Sequence, residues 1–326
     1  MKNKIISTIV ALSVVGTSYA IEVNDNLSIN GFVDTSYSNA KTDGSATNTE
    51  KVSIDEVELN FLFNVGSVSG EIHLDNDNTD STDGNQADIE QAHFTYSLDN
   101  GISFTIGRYG SKLGFEREDP AGLYSYSRAY SDATNYGDVD SLVREGVAIN
   151  YAADAYTVGL SLDQTKGENL DDSGNGLNVE LSLSYTGIEN VNVGIGYRKE
   201  EAAGTNNGSD HLNLNASYQV GKALLAAEWQ SMDPEATGSA DQEAFMLLVD
   251  YDVSDKLGVA VRYSQEDQDT ISTSALENSK WTIAPNFAIT DSLGAIIEYS
   301  STDVDVASGA ASADEELFAV ELTYTF

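Results

Sequence analysis

The chain has 326 residues, no Cys, 3 Pro and a formal net charge of −37 at neutral pH. We predict no nucleic-acid partner, because phosphates are bound by Lys and Arg and this chain is strongly acidic. The lack of Cys excludes disulfides and thiol chemistry. No stretch approaches the ~20 consecutive apolar residues of a transmembrane helix, so the chain could cross a membrane only as a closed β-barrel.

The beginning of the chain has the pattern of a signal peptide. Two Lys residues precede an apolar run at 5–15, and the triplet Ser-Tyr-Ala at 18–20 ends in the small-x-small pattern that signal peptidase cleaves. The run is too short to span a bilayer as a helix. We therefore predict a cleaved signal peptide at 1–20 and an exported mature chain at 21–326.

Apolar and polar residues alternate along most of the mature chain. In the segment 177–185, every odd residue is apolar and every even residue is polar. A period of two predicts a strand with one apolar face and one wet face. Each predicted strand is close to the ~10 residues of a tilted membrane-spanning strand, and their number is even, as in bacterial barrels. The sixteen predicted strands are 27–37, 54–66, 67–76, 88–98, 101–109, 144–152, 155–162, 176–186, 190–199, 211–220, 222–231, 243–252, 256–265, 279–289, 292–301 and 316–326.

The predicted connections fall into two length classes. Short turns are expected near 99–101, 153–154, 187–189, 220–221, 253–255 and 290–291, and longer polar connections at 38–53, 76–87, 163–175, 200–210, 232–242, 265–279 and 302–315. Aromatic residues lie beside the short turns on even-numbered strands and just before the long connections on odd-numbered strands. Short turns on one rim, long loops on the other and aromatic residues at both are typical of outer-membrane barrels.

The predicted fold class is therefore all-β, a sixteen-stranded antiparallel transmembrane β-barrel. The alternative is a secreted soluble all-β protein, such as a sandwich or an acidic adhesin. That alternative explains the alternation and the acidity. It does not explain two aromatic rings, two classes of connection or an aromatic residue at the end of the chain.

Two further features carry a resemblance to a known family. The last strand ends in Tyr324-Thr325-Phe326, and the longest connection runs from about 110 to 143, after a segment that reads Gly107-Arg108-Tyr109-Gly110-Ser111-Lys112-Leu113-Gly114. With the sixteen strands, these features resemble the general trimeric porins of Gram-negative outer membranes over the whole mature chain. The long connection departs from the enteric pattern, because it lacks the Pro-Glu-Phe-Gly-Gly run, and this leaves its conformation and the pore radius open.

The resemblance implies a location and a function. A porin lies in the outer membrane among lipid and lipopolysaccharide, assembles as a homotrimer and lets small hydrophilic solutes and ions diffuse passively. The resemblance also implies that the loop at 110–143 folds into the lumen as a constriction loop. Phe326 looks like the terminal signal that the family's insertion machinery reads.

Arg residues are scarce in this chain and concentrated near that loop. Four of the six Arg lie in or beside it, close to several carboxylates. Such an arrangement suggests a positioned charge array, which at a constriction would orient solutes and set ion preference. An equally weighted interpretation is that the Arg residues only pin the loop to the wall. The predicted constriction residues are Arg108, Lys112, Glu116, Arg117, Glu118, Asp119, Arg128 and Arg144.

The alternation also assigns side chains to the lumen wall. The predicted wall residues are Glu58, Glu71, His73, His93, Arg198 and Arg262, together with Glu56, Asp75, Glu180, Glu228, Lys280, Glu298 and Glu321. Acids outnumber bases in this set, so a cation preference is expected. His73 and His93 share a face, but two His without Cys or a spaced third ligand are a weak metal signal, and we predict no metal site.

No catalytic motif is present in the sequence. A phosphate-binding Gly-Lys-Ser/Thr loop, a Gly-x-Ser-x-Gly elbow and a His-Glu-x-x-His pair are all missing. We therefore predict a channel without a cofactor and not an enzyme. The alternatives are a substrate-selective channel, which would need a distinct binding constellation in the lumen, and an acidic structural or adhesive barrel, for which the loops are short.

Overall fold

The computed structural model describes residues 20–45, 48–77, 88–116, 120–130, 143–165, 176–201, 208–235, 240–269, 276–306 and 314–326. Residues 1–19 of the predicted signal peptide and the predicted site residues Arg117, Glu118 and Asp119 lie outside these ranges. The strands in the described residues are β1 (Ile21–Asn24), β2 (Leu27–Thr42), β3 (Thr49–Val65), β4 (Val68–Asp77), β5 (Asp88–Ser97), β6 (Ile102–Gly110), β7 (Val143–Ala152), β8 (Tyr156–Thr165), β9 (Asn178–Tyr185), β10 (Val191–Glu200), β11 (Ser209–Val220), β12 (Ala223–Pro234), β13 (Asp241–Ser254), β14 (Leu257–Asp269), β15 (Leu276–Ala288), β16 (Leu293–Val306) and β17 (Glu315–Thr325).

The strands β2 to β17 form a closed antiparallel ring. Each strand pairs with the next along the chain, and β17 returns to β2 in a register that runs from Glu315 opposite Thr42 to Thr325 opposite Phe32. The short strand β1 pairs with the start of β2. Within the described residues the barrel therefore has sixteen strands and closes between its first and last strands, which confirms the predicted fold class.

The strands extend further on the long-loop side than the alternation predicted. Strand β2 continues to Thr42 and β3 begins at Thr49, with Ala40 opposite Thr49, whereas a loop was predicted from 38 to 53. The ladder continues there through residues that are mostly polar on both faces. A strand that rises beyond the membrane is wet on both sides, so it loses the period-two signal without losing its backbone hydrogen bonds.

The barrel is apolar outside and charged inside. Leu247 and Val249 of β13 point outward and are 53% and 44% exposed, whereas Arg198 and Glu298 point inward and are 1% and 0% exposed. A soluble domain has a polar surface and an apolar interior, so this distribution is the reverse. It is the distribution that a barrel in contact with lipid requires.

Aromatic rings lie exposed on the outer face near the short turns, as predicted. They belong to Tyr96, Tyr151, Tyr185, Tyr218, Tyr251 and Tyr324. Tyrosines in this position suit the boundary between lipid tails and headgroups.

Helices long and apolar enough to span a membrane are not found in the part of the chain that the structure describes.

Candidate functional site

The long connection between β6 and β7 lies against the inner wall of the barrel. We call its described residues, 111–116 and 120–130, the inner loop. The loop leaves β6 with Ser111, whose hydroxyl donates a hydrogen bond of 2.7 Å to Glu180 of β9. The backbone N–H of Lys112 donates to the other oxygen of Glu180 at 2.9 Å. Glu180 therefore holds the first turn of the loop.

The next contact is with Glu228 of β12. The backbone N–H of Phe115 donates to Glu228 at 2.6 Å, and the amide of Asn213 donates at 2.8 Å. Tyr130 donates its hydroxyl to Glu228 at 3.4 Å. Burial raises the pKa of the Tyr130 hydroxyl well above its ordinary value, so the hydroxyl keeps its proton and remains a donor. The inward carboxylate of Glu228 therefore binds the inner loop at two places, Phe115 and Tyr130.

The far side of the loop is anchored on β14 and β16. Glu116 pairs with Arg262 of β14 at 2.6 Å, and Arg262 also donates to the carbonyl of Ser127 at 2.6 Å. Glu298 of β16 accepts two hydrogen bonds from Ser127, one from its N–H at 2.9 Å and one from its hydroxyl at 2.5 Å. In a ring of sixteen strands β14 is the eighth from β6, so the loop reaches the wall directly opposite its origin.

Further hydrogen bonds fix the end of the described loop. Lys280 of β15 donates to the carbonyl of Arg128 at 3.2 Å, and Ser264 of β14 donates to the carbonyl of Ala129 at 2.5 Å. The hydroxyl of Ser36 on β2 donates to that of Tyr126 at 3.3 Å. The loop is therefore bound to strands around much of the barrel.

An apolar patch on the inner wall receives the loop. The buried side chains of the patch are Ala226, Ala244, Met246, Leu248, Ala260, Ala284 and Ile296, and they pack against Ala129 and Tyr130 of the loop. This patch was not predicted, since the alternation indicated a polar lumen wall. The sequence does carry a signal for it: residues 244–249 are apolar without interruption, which indicates that both faces of β13 are covered.

A second charged network lies on the inner faces of β7 to β10. The guanidinium of Arg198 donates to both oxygens of Asp163, at 2.8 and 3.2 Å, and to Glu200 at 2.8 Å. Arg144 lies 3.4 Å from Glu200 and 3.9 Å from Asp163. Arg198 also lies 3.5 Å from Glu180, which ties this network to the start of the inner loop. Bidentate Arg–carboxylate pairs of this kind hold buried charges in fixed positions.

A third cluster, on β3 to β5, contains both predicted His residues of the wall. His73 lies 3.0 Å from Glu58, 3.2 Å from Glu71 and 3.8 Å from Glu90. His93 lies 3.9 Å from Glu71 and stacks edge-on against Tyr109. The cluster is separate from the anchors of the loop on β12 to β16.

Arg108 lies on the outer face of the barrel, contrary to its predicted place in the constriction. It pairs with Glu145 at 2.5 Å and donates to the carbonyl of Ile89 at 2.6 Å. It shares parity with Ile106, which is 41% exposed on the lipid side. Arg108 was predicted to lie in the constriction because it is close to the loop in the sequence, and this prediction was wrong.

Several residues of the inner network were missed by sequence reasoning. Asp163 and Glu200 were placed in loops because the predicted strands ended too early. Extending the period-two pattern of β8 from Gly159 through Ser161 would have pointed Asp163 inward. Ser127 and Tyr130 carry no such local signal, because a loop has no periodicity.

Comparisons with known proteins extend over nearly the whole chain. Residues 14–326 match the model of a family described as beta-barrel porin-2, OmpL-like. No match is found among the curated proteins.

Solved structures share the fold at low sequence identity. The outer membrane channel DcaP of Acinetobacter baumannii has a TM-score of 0.71 at 13% identity, covering 92% of this chain and 97% of that one. An anion-selective porin from Comamonas acidovorans has a TM-score of 0.68 at 14% identity, covering 92% and 99%. OmpT of Vibrio cholerae, in a trimer form, has a TM-score of 0.66 at 13% identity, covering 93% and 100%.

Proposed function

Because the chain belongs to the OmpL-like beta-barrel porin-2 family, we propose that it forms a water-filled channel for the passive diffusion of small hydrophilic solutes, with a preference for cations. Its predicted location in the outer membrane of a Gram-negative bacterium is confirmed by the family and by the porins that share its fold. The family and these porins do not supply the ion selectivity of this chain, and the charges on its inner wall support the cation preference.

The observation that carries the proposal is the path of the inner loop. Its described residues bond to Glu180, Glu228, Arg262 and Glu298, which lie on strands from β9 round to β16. Because the inner loop starts at β6 and is bound to the opposite wall, it narrows the lumen. The contacts that hold it there are all inside the barrel. We therefore propose residues 110–143 as the constriction loop.

The cation preference rests on the charges that face inward. The inward acids among the described residues include Asp34, Glu56, Glu58, Glu71, Asp75, Glu90, Asp163, Glu180, Glu200, Glu228, Asp250, Glu266, Glu298 and Glu321, against the bases Arg144, Arg198, Arg262 and Lys280. An excess of fixed negative charge inside a low-dielectric wall concentrates cations. The porin from Comamonas acidovorans is named as anion-selective, and the acidic wall of this chain favours the opposite sign.

The preferred test is conductance in a planar lipid bilayer. Refolded protein should insert in steps, each with a stable ohmic conductance, and swelling of loaded liposomes should fall smoothly with solute size. A saturable uptake of one solute class would favour the substrate-selective alternative. Folded protein that gives no conductance would contradict the proposal and favour a structural or adhesive barrel. Heat-denatured protein in the same detergent is the control.

We also propose a homotrimer, as the resemblance implies. The trimer form of OmpT, which shares the fold, supports this assembly, and closed symmetry is usual for homo-oligomers. Native mass measurement in mild detergent should give three chains. A monomer under conditions that keep the barrel folded would contradict the trimer and leave the channel proposal standing.

A further inference from the structure

Three side chains on adjacent strands bring metal-ligating atoms together on the inner wall. Nδ1 of His73 on β4 lies 3.0 Å from Oε1 of Glu58 on β3 and 3.8 Å from Oε2 of Glu90 on β5. One ligand atom from each residue lies within 4.8 Å of the other two. In a tetrahedral zinc site the ligand atoms are about 3.3 Å apart, which follows from zinc–ligand bonds of about 2.0–2.2 Å. Small side-chain movements would therefore bring all three onto one ion.

The carboxylate of Glu58 is buried, and in the described residues it has an ion-pair contact with His73 but no hydrogen bond. The residue is 1% exposed, and neither of its oxygens makes a hydrogen bond with the described part of the chain. Its contact with His73 is short but lies outside hydrogen-bond geometry, and Nδ1 of that ring makes no hydrogen bond with the described residues either. A buried carboxylate without hydrogen bonds is costly. A cation between Glu58 and His73 would remove that cost.

Glu71 orients the imidazole for binding. Its Oε2 lies 3.2 Å from Nε2 of His73. If Nε2–H donates to this carboxylate, the neutral ring directs the lone pair of Nδ1 at Glu58 and Glu90. A carboxylate that holds the other ring nitrogen is the usual support of a metal-binding His. The side chain of Glu71 is 43% exposed, so the cluster is open to the lumen on this side.

We propose that Glu58, His73 and Glu90 bind one divalent transition-metal ion of the Zn²⁺ class, with a water molecule as the fourth ligand. One nitrogen and two carboxylate oxygens suit Zn²⁺, whereas Ca²⁺ prefers six or more oxygen ligands. The sequence alone placed Glu58, His73 and His93 on the lumen wall, and the pairing of the strands adds Glu90. A bound ion would also cancel part of the negative charge on this side of the lumen.

The test is equilibrium binding of Zn²⁺ to the full-length mature protein, folded in detergent and freed of metal with a chelator. Calorimetry in excess Ca²⁺, which saturates weak acidic sites on the loops, should show one Zn²⁺ per chain. Co²⁺ should give the visible absorption of a tetrahedral site. His73→Ala should weaken Zn²⁺ binding at least tenfold, and Glu58→Gln, which keeps the side-chain shape, should weaken it similarly.

His211→Ala is the matched control, since His211 faces the lumen on β11, and among the described residues only the carboxylate of Glu200 lies within 4.0 Å of its ring nitrogens. This variant should bind Zn²⁺ like the unaltered protein. If the unaltered protein binds no more tightly than His73→Ala, the proposal is wrong, and His73 is an imidazolium paired with its carboxylates. Because the readout is binding and not conductance, this failure would leave the proposed channel untouched.

Discussion

Glu116 and Arg262 lie 2.6 Å apart inside the barrel, although 146 positions separate them in the chain. Their side chains are 4% and 1% exposed. The pair joins the inner loop to the wall opposite the strand from which the loop starts. Any change in this contact should therefore alter the bore of the proposed channel and not only the stability of the barrel.

Glu116→Gln should loosen the inner loop. The substitution leaves the buried guanidinium of Arg262 without its charged partner, and breaking a buried pair in this way costs about 3–5 kcal/mol. Part of that cost is relieved if the loop moves and water reaches Arg262. We therefore expect a larger and noisier single-channel conductance in a planar bilayer.

Glu316→Gln is the control for that experiment. Glu316 pairs with Lys41 at 3.5 Å, and both side chains are about half exposed, at 52% and 51%. Exposed pairs contribute about 0–1 kcal/mol, so conductance should not change. Equal conductance and noise in both variants would show that the Glu116–Arg262 pair does not hold the loop in the channel.

Gly196 leaves the space that Leu113 of the inner loop fills. A Cβ atom added at Gly196 would lie 2.5 Å from Cγ of Leu113. Gly196→Val should therefore push the first turn of the loop from the wall, at an overpacking cost of about 1–3 kcal/mol. We expect a changed conductance with the barrel still folded, as judged by heat-modifiable mobility on gels.

Gly110→Ala provides the comparison, because a Cβ atom at Gly110 meets no atom within 4 Å. Gly110 also belongs to the segment where the loop begins. If Gly196→Val and Gly110→Ala conduct identically, the contact between Leu113 and the wall has no influence on the pore.

The terminal residue closes the seam of the barrel. The backbone N–H and carbonyl of Phe326 form hydrogen bonds of 3.1 Å with the carbonyl and N–H of Gly31. Deleting Phe326 removes both bonds, each contributing about 0.5–1.5 kcal/mol. We expect a lower yield of folded barrel in the outer membrane and an unfolding midpoint at lower urea concentration.

Phe318→Ala separates this effect from a general loss of aromatic surface. Phe318 lies on the same strand with its ring exposed outward. It should lower the yield less than the deletion does. A yield that falls equally in both would mean that the seam hydrogen bonds are not the reason.

The strands were predictable because their signal is local. Alternation along one segment reports one wet face and one lipid face, and it located all sixteen barrel strands in their observed order. Where a strand has the same environment on both faces, alternation missed the end of the strand or the apolar character of its inner face. Ser38 to Thr42 continue β2 in water on both sides, and the run at 244–249 is apolar on both faces because the inner loop covers β13.

The site was less predictable because its contacts are not local. No periodicity connects Ser127 with Glu298, which lie 171 positions apart, or Phe115 with Glu228, which lie 113 apart. Clustering of Arg in the sequence was an unreliable guide, since it grouped Arg108 with the loop although strand parity turns Arg108 outward. The alternation along the strands alone placed Glu58 and His73 on the lumen face. The pairing of β4 with β5 in the structure was needed to add Glu90.

The reversal potential under a salt gradient is the most direct test of the proposed cation-preferring channel. With KCl at different concentrations across a bilayer, the sign should show that K⁺ passes more easily than Cl⁻. The preference should weaken in molar salt, where the Debye length falls from about 10 Å at 0.1 M to about 3 Å. A channel that prefers anions, or whose selectivity ignores salt, would contradict the account, because the acidic charge would then lie on surfaces that the ions never sense.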